Sequence, residues 1–434
     1  MSSTPPLTVR IESLAYGGEG VATLPSGKKV FVAGTAPGDL VAIALTQERP
    51  QFARARVLAV HEPGGDRVAP RCRHAGQCGG CQLQHVGAEA QRRAKEAAFY
   101  DGLRRLGGVR REEIPDARAI VAAAADLAYR SRCRLRVQGR RIGFCGWRSN
   151  DVVDLAECPV LVPPLEELAL ATAAALRARP VAGLRDLHLC VGDDGAGAAA
   201  LFLEGAAGAA PLAAADALLA GVPGLRGVVV VAAGGAPRLV GDPVVATAAP
   251  HAPGVRLLLR PDLFAQANPA VSALLVGLAV ELLAPRPHDA ALDLYAGAGN
   301  FTFALAARAG STLAVEEAGP ALALLERAAA AAGAMVRVET RAGDAVRVCG
   351  RLAAEGRPAD VAIMDPPRQG AKELPAALAA LGPRRIVYVS CDPATLARDV
   401  KALRGRGYAV AAAVPVDMFP QTYHIEGLVL LVRE

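Results

Sequence analysis

The 434-residue chain has no long apolar run, although its mean hydropathy is positive at +0.28. The longest uncharged interval, Leu263 to Val280, is broken by Gln266, Asn268, Pro269 and Ser272. A membrane span needs about 20 apolar residues in a row. The first ten residues, MSSTPPLTVR, contain no apolar h-region, which predicts no secretion signal and a cytoplasmic protein. No internal repeat is present. Alanine tracts such as Ala122–Ala125, Ala328–Ala332 and Ala411–Ala413 sit inside helical or strand patterns and reflect coding bias. What the chain does have is apolar content: 52% excludes a disordered polymer. At about 100–200 residues per domain, its length predicts two to four domains.

Nine cysteines is an odd number, unsuited to a closed disulfide framework. Three of them, Cys72, Cys78 and Cys81, fall in CRHAGQCGGCQ as Cys-x5-Cys-x2-Cys. In a large chain without a secretion signal this predicts metal ligation. A cubane cluster needs a fourth thiolate, and four thiolates also suit tetrahedral zinc, so spacing leaves both open. Cys133, Cys145, Cys190 and Cys349 are expected to be inert core residues. The net charge of +6 divides unevenly. Residues 1–150 hold 24 Lys and Arg against 13 Asp and Glu, and residues 151–434 hold 24 against 29. A basic front half on an acidic rear half predicts a polyanion-binding portion joined to another function.

Between residues 7 and 60, five short apolar-alternating runs (LTVRIESLA, GEGVATL, KKVFVAG, DLVAIALTQ, FARARVLAVH) separated by Gly turns predict a small closed barrel. Arg49, Arg54 and Arg56 lie in or beside its last strands, which makes residues 1–60 the expected source of polyanion affinity. After a Pro/Gly linker and the cysteines, residues 87–106 predict an amphipathic helix with basic positions on its exposed face. Residues 118–253 are mixed, with strands such as RCRLRVQ and GVVVVAA and a helix in PPLEELALATAAALRAR. From about 270 onward, helices alternate with buried strands (ALDLYAG, TLAVEE, VRVETR, VAIMDPP, RIVYVSC, HIEGLVLLVR), the pattern of a doubly wound α/β sheet.

ALDL runs into Tyr295-Ala-Gly297-Ala-Gly299-Asn300. A Gly-rich turn there lets a ligand approach the backbone at a strand's carboxyl end. The dinucleotide fingerprint wants a third Gly at 302, where Thr stands, so a nicotinamide oxidoreductase is disfavoured. Asp293 at the strand end, Glu316 ending the next strand and Asp344 after the third instead fit an S-adenosylmethionine pocket, with Glu316 toward ribose and Asp344 toward adenine. Asp365-Pro-Pro-Arg368 carries Arg where amine methyltransferases place a stacking aromatic. Ser390-Cys391-Asp392-Pro393 sets a thiol at a strand's carboxyl end, a position suited to a nucleophile.

The chain resembles the RNA uracil-C5 methyltransferase family, in particular its 23S ribosomal RNA branch. The resemblance rests on FAQAN (264–268), DLYAGAGNF (293–301), VEE (315–317), DPPRQG (365–370), SCDPATLARD (390–399) and DMFPQTYHIEG (417–427). Residues 11–40 resemble the TRAM domain. The likeness implies an OB-like TRAM β-barrel over 1–62, a central α+β domain carrying the cluster over 63–260, and a Rossmann-like methyltransferase domain over 261–434. It implies Cys391 as nucleophile and Glu426 as general base. It further implies S-adenosylmethionine contacts from Gln266, Tyr295, Asn300, Glu316, Asp344 and Asp365. A 4Fe–4S cluster on Cys72, Cys78, Cys81 and Cys158 is implied too, with Cys158 as fourth ligand. The implied partner is 23S ribosomal RNA, met by a monomer away from any membrane. Alternatives are a transfer-RNA uracil methyltransferase and a non-catalytic RNA-binding protein; intact Cys391 and Glu426 oppose the latter. Gly427 departs from the family, which often has a larger residue there.

Overall fold

The computed structural model describes residues 7–206, 208–333 and 338–434. The N-terminal strands form one six-stranded sheet in the order Leu7–Arg10, Leu40–Glu48, Phe52–Glu62, Lys29–Ala33, Gly20–Thr23, Ser13–Leu14. The run expected as one strand, LTVRIESLA, is two. Ile11 turns inward to 1% exposure, its amide bonds Asp39 O, and the next amide bonds Val21 O. The chain thereby changes partners, and the sheet curls until its two edges are halves of one run. Val9, Ile11, Val30, Val32, Val41 and Ile43 fill the interior.

The helix Ala88–Gly107 ends where Gly108 takes φ +65° and donates its amide to Leu103 O, a left-handed cap that glycine adopts without strain. It crosses the helix Pro393–Arg404 closely. A Cβ on Gly102 would lie 3.3 Å from Pro393, and one on Gly107 3.3 Å from Ala397 O. Its buried face is not purely apolar, as the sequence pattern suggested. Lys95 is 3% exposed and its Nζ meets Asp417 Oδ1 at 2.6 Å and Phe419 O at 2.9 Å. Phe99, also inward, occupies the space a side chain at 427 would need, since a Cβ there would collide with its ring. The departure at Gly427 is thus matched by Phe99.

A seven-stranded sheet runs Val152–Asp154, Arg141–Cys145, Arg132–Gln138, Leu184–Val191, Gly197–Leu203, Leu225–Val231, Arg238–Gly241. The helices Pro163–Ala178 and Ala209–Gly221 cover one face through Leu165, Leu168, Leu176 and Leu218.

The C-terminal sheet has eight strands in the order Val338–Ala342, Ser311–Glu316, Ala290–Leu294, Val361–Met364, Arg385–Ser390, Glu426–Arg433, Tyr408–Val416, Asp116–Ala117. The first five are mutually parallel and Glu426–Arg433 runs antiparallel to its neighbours. This is the expected doubly wound sheet. One face packs on Pro269–Leu283, the other on Ala345–Ala354, Leu374–Leu381 and Pro393–Arg404. In VRVETR, Val336 and Arg337 lie outside the described residues. Tyr408–Val416 escaped the sequence pattern because its alanines and Pro415 lack strand character. Its far edge is covered by Asp116–Ala117 and Val121.

Replacing Lys95 by Met leaves Asp417 charged, buried and unpaired. Urea unfolding is expected to show a loss of about 3–5 kcal/mol, partly restored when Asp417→Asn is added.

Candidate active site

The functional side chains gather along one edge of the C-terminal sheet, where the parallel strands end. Asp365 follows Val361–Met364 and Cys391 follows Arg385–Ser390. Because the last strand is antiparallel, its first residue, Glu426, arrives at that same edge. Ser390 pairs with Gly427, so the register puts Cys391 beside Glu426. Glu426 is 4% exposed. Burial, then the nearby Asp365 carboxyl, raise its pKa well above the carboxylate range, and Arg368 opposes them. Burial raises Asp365 to about 7 against the opposing amide of Gln266, whose Nε2 lies 3.3 Å from Oδ2. The Cys391 thiol is pushed up to about 11 by burial and by the charge of Glu426, with Arg368 pulling the other way. Two desolvated carboxyls, one thiol and one guanidinium therefore share a site in which proton positions are mutually dependent.

Next to it lies a cavity of about 370 Å³, lined among others by Gln266, Tyr295, Asn300 and Asp365. Tyr295 at φ +63°, Gly297 at +56° and Gly299 at +97° turn the chain from strand to helix. A Cβ on Gly299 would strike Phe303, so glycine is required there sterically as well. Glu316 accepts from the amides of Gly297 (2.8 Å) and Ala318 (2.7 Å), fixing the turn from the neighbouring strand. Four of the six expected cofactor residues thus line one cavity. Glu316 reaches it through Gly297, whereas Asp344 caps the helix Ala345–Ala354 by accepting from Arg347 N at 2.9 Å. Asn300 Nδ2 is buried with no partner among the described residues, while its Oδ1 accepts from Ser272 at 3.1 Å. That unpaired donor aims at a ligand. Asp293 is fully buried and holds the Thr302 hydroxyl at 2.6 Å. Thr302, where a dinucleotide site would have glycine, is thus the anchor of the turn.

Sequence reasoning missed the supports. Arg132 binds the carbonyls of Pro261, Leu263 and Ala265, and Ser131 N donates to Ala267 O at 2.8 Å. Together they hold the segment that presents Gln266 and Phe264, the latter 75% exposed. Asn268 caps the helix Pro269–Leu283 and donates to Met418 O at 3.0 Å. Arg368 appeared in sequence only as a missing aromatic, yet it faces the thiol. Arg54, expected on the RNA face, is instead paired with Glu19 at 3.0 Å, as is Arg148 at 2.8 Å.

Cys72, Cys78, Cys81 and Cys158 line a single separate cavity. The amides of His74 and Gly80 approach the sulfurs of Cys72 (3.4 Å) and Cys78 (3.3 Å). Burial raises all four thiols, Cys78 to about 11 and Cys158 to about 12. Among the described residues, no group of three or more His, Cys, Asp or Glu is arranged to hold a metal ion. Cys133, Cys190 and Cys349 are buried core residues as expected. Cys145 is half-buried and within electrostatic range of Cys78.

Comparison with known proteins agrees with this geometry. Residues 259–434 match the family model described as tRNA (Uracil-5-)-methyltransferase, and residues 7–58 match that of the TRAM domain. The 23S rRNA (uracil(1939)-C(5))-methyltransferase of Alkalilimnicola ehrlichii is 37% identical across 99% of this chain and 97% of its own. The protein of the same name from Edwardsiella ictaluri is 37% identical across 98% and 95%. The Pyrococcus abyssi tRNA (uracil-54, C5)-methyltransferase, solved with S-adenosyl-L-homocysteine, shares the fold. Its TM-score is 0.74 at 23% identity, covering 98% of this chain and 99% of that one. Among the described residues no helix is long and apolar enough to cross a membrane.

Peptide-resolved alkylation of the free protein across pH should titrate Cys391 near the raised value of about 11. Glu426→Gln removes a negative neighbour, so the midpoint should move down. A midpoint in the ordinary thiol range, about 8.5, with no response to Glu426→Gln, would contradict the arrangement.

Proposed function

The chain belongs to the RNA uracil-C5 methyltransferase family and is an S-adenosylmethionine-dependent enzyme, and from that premise we propose that it converts a uridine of 23S ribosomal RNA to 5-methyluridine through a covalent Cys391–C6 adduct. The observation that supports this most directly is the register that sets Cys391 beside Glu426, with Asp365 linking both to the cavity. Uracil C5 is a weak nucleophile. Addition of the Cys391 thiolate to C6 gives an enolate whose C5 attacks the methyl donor, which splits one hard step into two easier ones. C5 then carries both methyl and hydrogen. Glu426 removes that proton, and the electrons of the C–H bond restore the C5–C6 double bond as the thiolate leaves. A carboxyl whose pKa is raised by burial is a stronger base than an exposed one, which suits such a transfer. Arg368 favours the thiolate whenever it forms. The target base must leave its stack to reach this depth.

Gln266, Tyr295, Asn300 and Asp365 are the residues we assign to the cofactor, with Glu316 and Asp344 at its ribose and adenine ends. Residues 1–62, 63–260 and 261–434 then divide the work into RNA binding, cluster-bearing scaffold and chemistry, in a cytoplasmic monomer. Full-length likeness to the ribosomal RNA relatives, together with the barrel and the four cysteines, favours ribosomal over transfer RNA.

Cys72, Cys78, Cys81 and Cys158 would hold a 4Fe–4S cluster. The fit rests on four thiols around one cavity, Cys158 buried and the other three half-buried, two of them already met by backbone amides. When bound, the cluster would supply the positive charge that keeps the thiolates ionised and pins residues 72–81 to Cys158. Anaerobically purified protein is expected to be brown with about four irons per chain. Colourless protein with one zinc would overturn this assignment.

The catalytic roles separate by variant. Cys391→Ala should form no adduct and transfer no methyl group. Glu426→Gln should add, accept the methyl and stall, lowering turnover by about 10²–10⁴-fold and accumulating a methylated RNA–protein adduct on denaturing gels. An adduct from Cys391→Ala, or normal turnover by Glu426→Gln, would refute the respective role.

A further inference from the structure

A further groove, of about 430 Å³, opens beside the segment that leads from Asp417 to Glu426 and reaches the barrel at Gly17 and the cysteine segment. Its walls include Trp147, Arg148, Tyr423 and His424, and its floor is Gly79-Gly80 with Gln82. Among the described residues no carboxylate lines it. Trp147 is the chain's only tryptophan, half-buried, with the Arg148 guanidinium 5.3 Å from its ring centre. The Tyr423 and His424 rings lie 4.3 Å apart at 43°, and Tyr16 of the barrel meets Tyr423 edge-on at 5.6 Å. Gln82 Oε1 is buried and has no partner among the described residues. A smaller cleft of about 290 Å³ shares Trp147 and Gln82 and continues along the barrel at Gly34.

The walls are held in place. Arg148 pairs with Glu19 of the barrel, itself 7% exposed and also held by Arg54. A Cβ on Gly79 would come within 2.8 Å of Gly146 O, so the cysteine segment packs directly on the turn that carries Trp147. At its inner end, His424 stands two residues before Glu426. Burial and the nearby Arg368, Lys95 and Arg130 depress the imidazole to about 4, leaving a neutral ring at physiological pH. Neutral and phenolic rings, an indole, one guanidinium and an unused amide acceptor make a surface for a flat, hydrogen-bond-donating base. Such a platform is tolerant of base identity because every base has a π-face.

We propose that this groove binds an unpaired nucleotide of the RNA adjacent to the target uridine, stacking its base on the wall of Trp147, Tyr423 and His424 and presenting an N–H to Gln82 Oε1. The inference rests on the RNA methyltransferase reading and adds where the strand runs: from Tyr423-His424, over Gly79-Gly80, to the barrel. The neighbour anchors the strand, so that the target base enters the catalytic pocket already tethered on one side.

The test uses a stem–loop RNA that the wild-type holoenzyme methylates, with abasic residues placed in turn at each unpaired neighbour of the target. One abasic position should raise KM about tenfold, a single stacked base, with kcat retained at saturating RNA. Trp147→Ala should raise KM by a similar factor on intact RNA and add nothing on that abasic RNA; Trp147→Phe should restore most of the loss. Iron content and S-adenosylmethionine affinity of each variant report folding separately. Equal losses for Trp147→Ala on intact and abasic RNA, or a fall in kcat with unchanged KM, would overturn the proposal. Absence of methylation by wild type on any uridine RNA would instead overturn the functional reading beneath it.

Discussion

The buried ion pair between Lys95 and Asp417 is the interaction on which the active site depends. Asp417 opens the segment that ends at Glu426, and almost every part of the chain grips that segment. Gln91 donates to Gln421 Oε1 and accepts from Gln421 N, while Leu83 N bonds Gln421 O. Tyr129 donates to Pro420 O, Asn268 to Met418 O, and Gln421 reaches Asp126. Gln421 sits at φ +69°, a conformation costly for a side-chain-bearing residue and sustained only by such surroundings. Glu426 therefore gains its position from the barrel-side segment, the helix and the central sheet at once. A charge pair at 2.6 Å with both partners nearly solvent-free is poor evidence for net stability. Its value here is specificity, because only one docking of the helix satisfies it.

The same economy of charge shapes the catalytic pocket. Asp293, Asp365 and Glu426 are carboxyls taken out of water, each raised in pKa by burial. Asp293 holds a protein hydroxyl and Asp365 meets the Gln266 amide. The raised thiol of Cys391 carries little thiolate in the free protein, and reactivity toward oxidants follows thiolate content.

Much of the basic charge that marks residues 1–150 is spent internally. Arg54, Arg67, Arg93, Arg111, Arg118 and Arg148 all close ion pairs, and Arg132 binds carbonyls. Arg49, Arg56, Arg71, Arg73, Arg140 and Arg141 make no ion pair among the described residues and remain for a polyanion. The barrel is accordingly more than a tether. Tyr16 meets Tyr423 of the segment leading to Glu426, and Glu19 pairs with Arg148 on the turn that carries Trp147.

The chain's own order of residues determined the doubly wound sheet, the Gly-rich turn, the reactive cysteine and the cysteine trio, because each is local: hydrophobic period, turn chemistry and short spacing survive in a linear string. It also carried the barrel runs to within two residues at each end, apart from the break in the first, and the helix after them to within one. Tertiary structure alone decided that LTVRIESLA breaks at Ile11, that Tyr408–Val416 is a strand, and that Lys95 goes inward, since partner exchange, edge coverage and a charge 322 positions away leave no local trace. Asp344 as a helix cap and Thr302 as the anchor of Asp293 became legible only with coordinates. So did the meeting of Cys391 with Glu426. Thirty-four intervening residues join only through the antiparallel register of the last strand, which a sequence can permit but only hydrogen-bonded pairing can set.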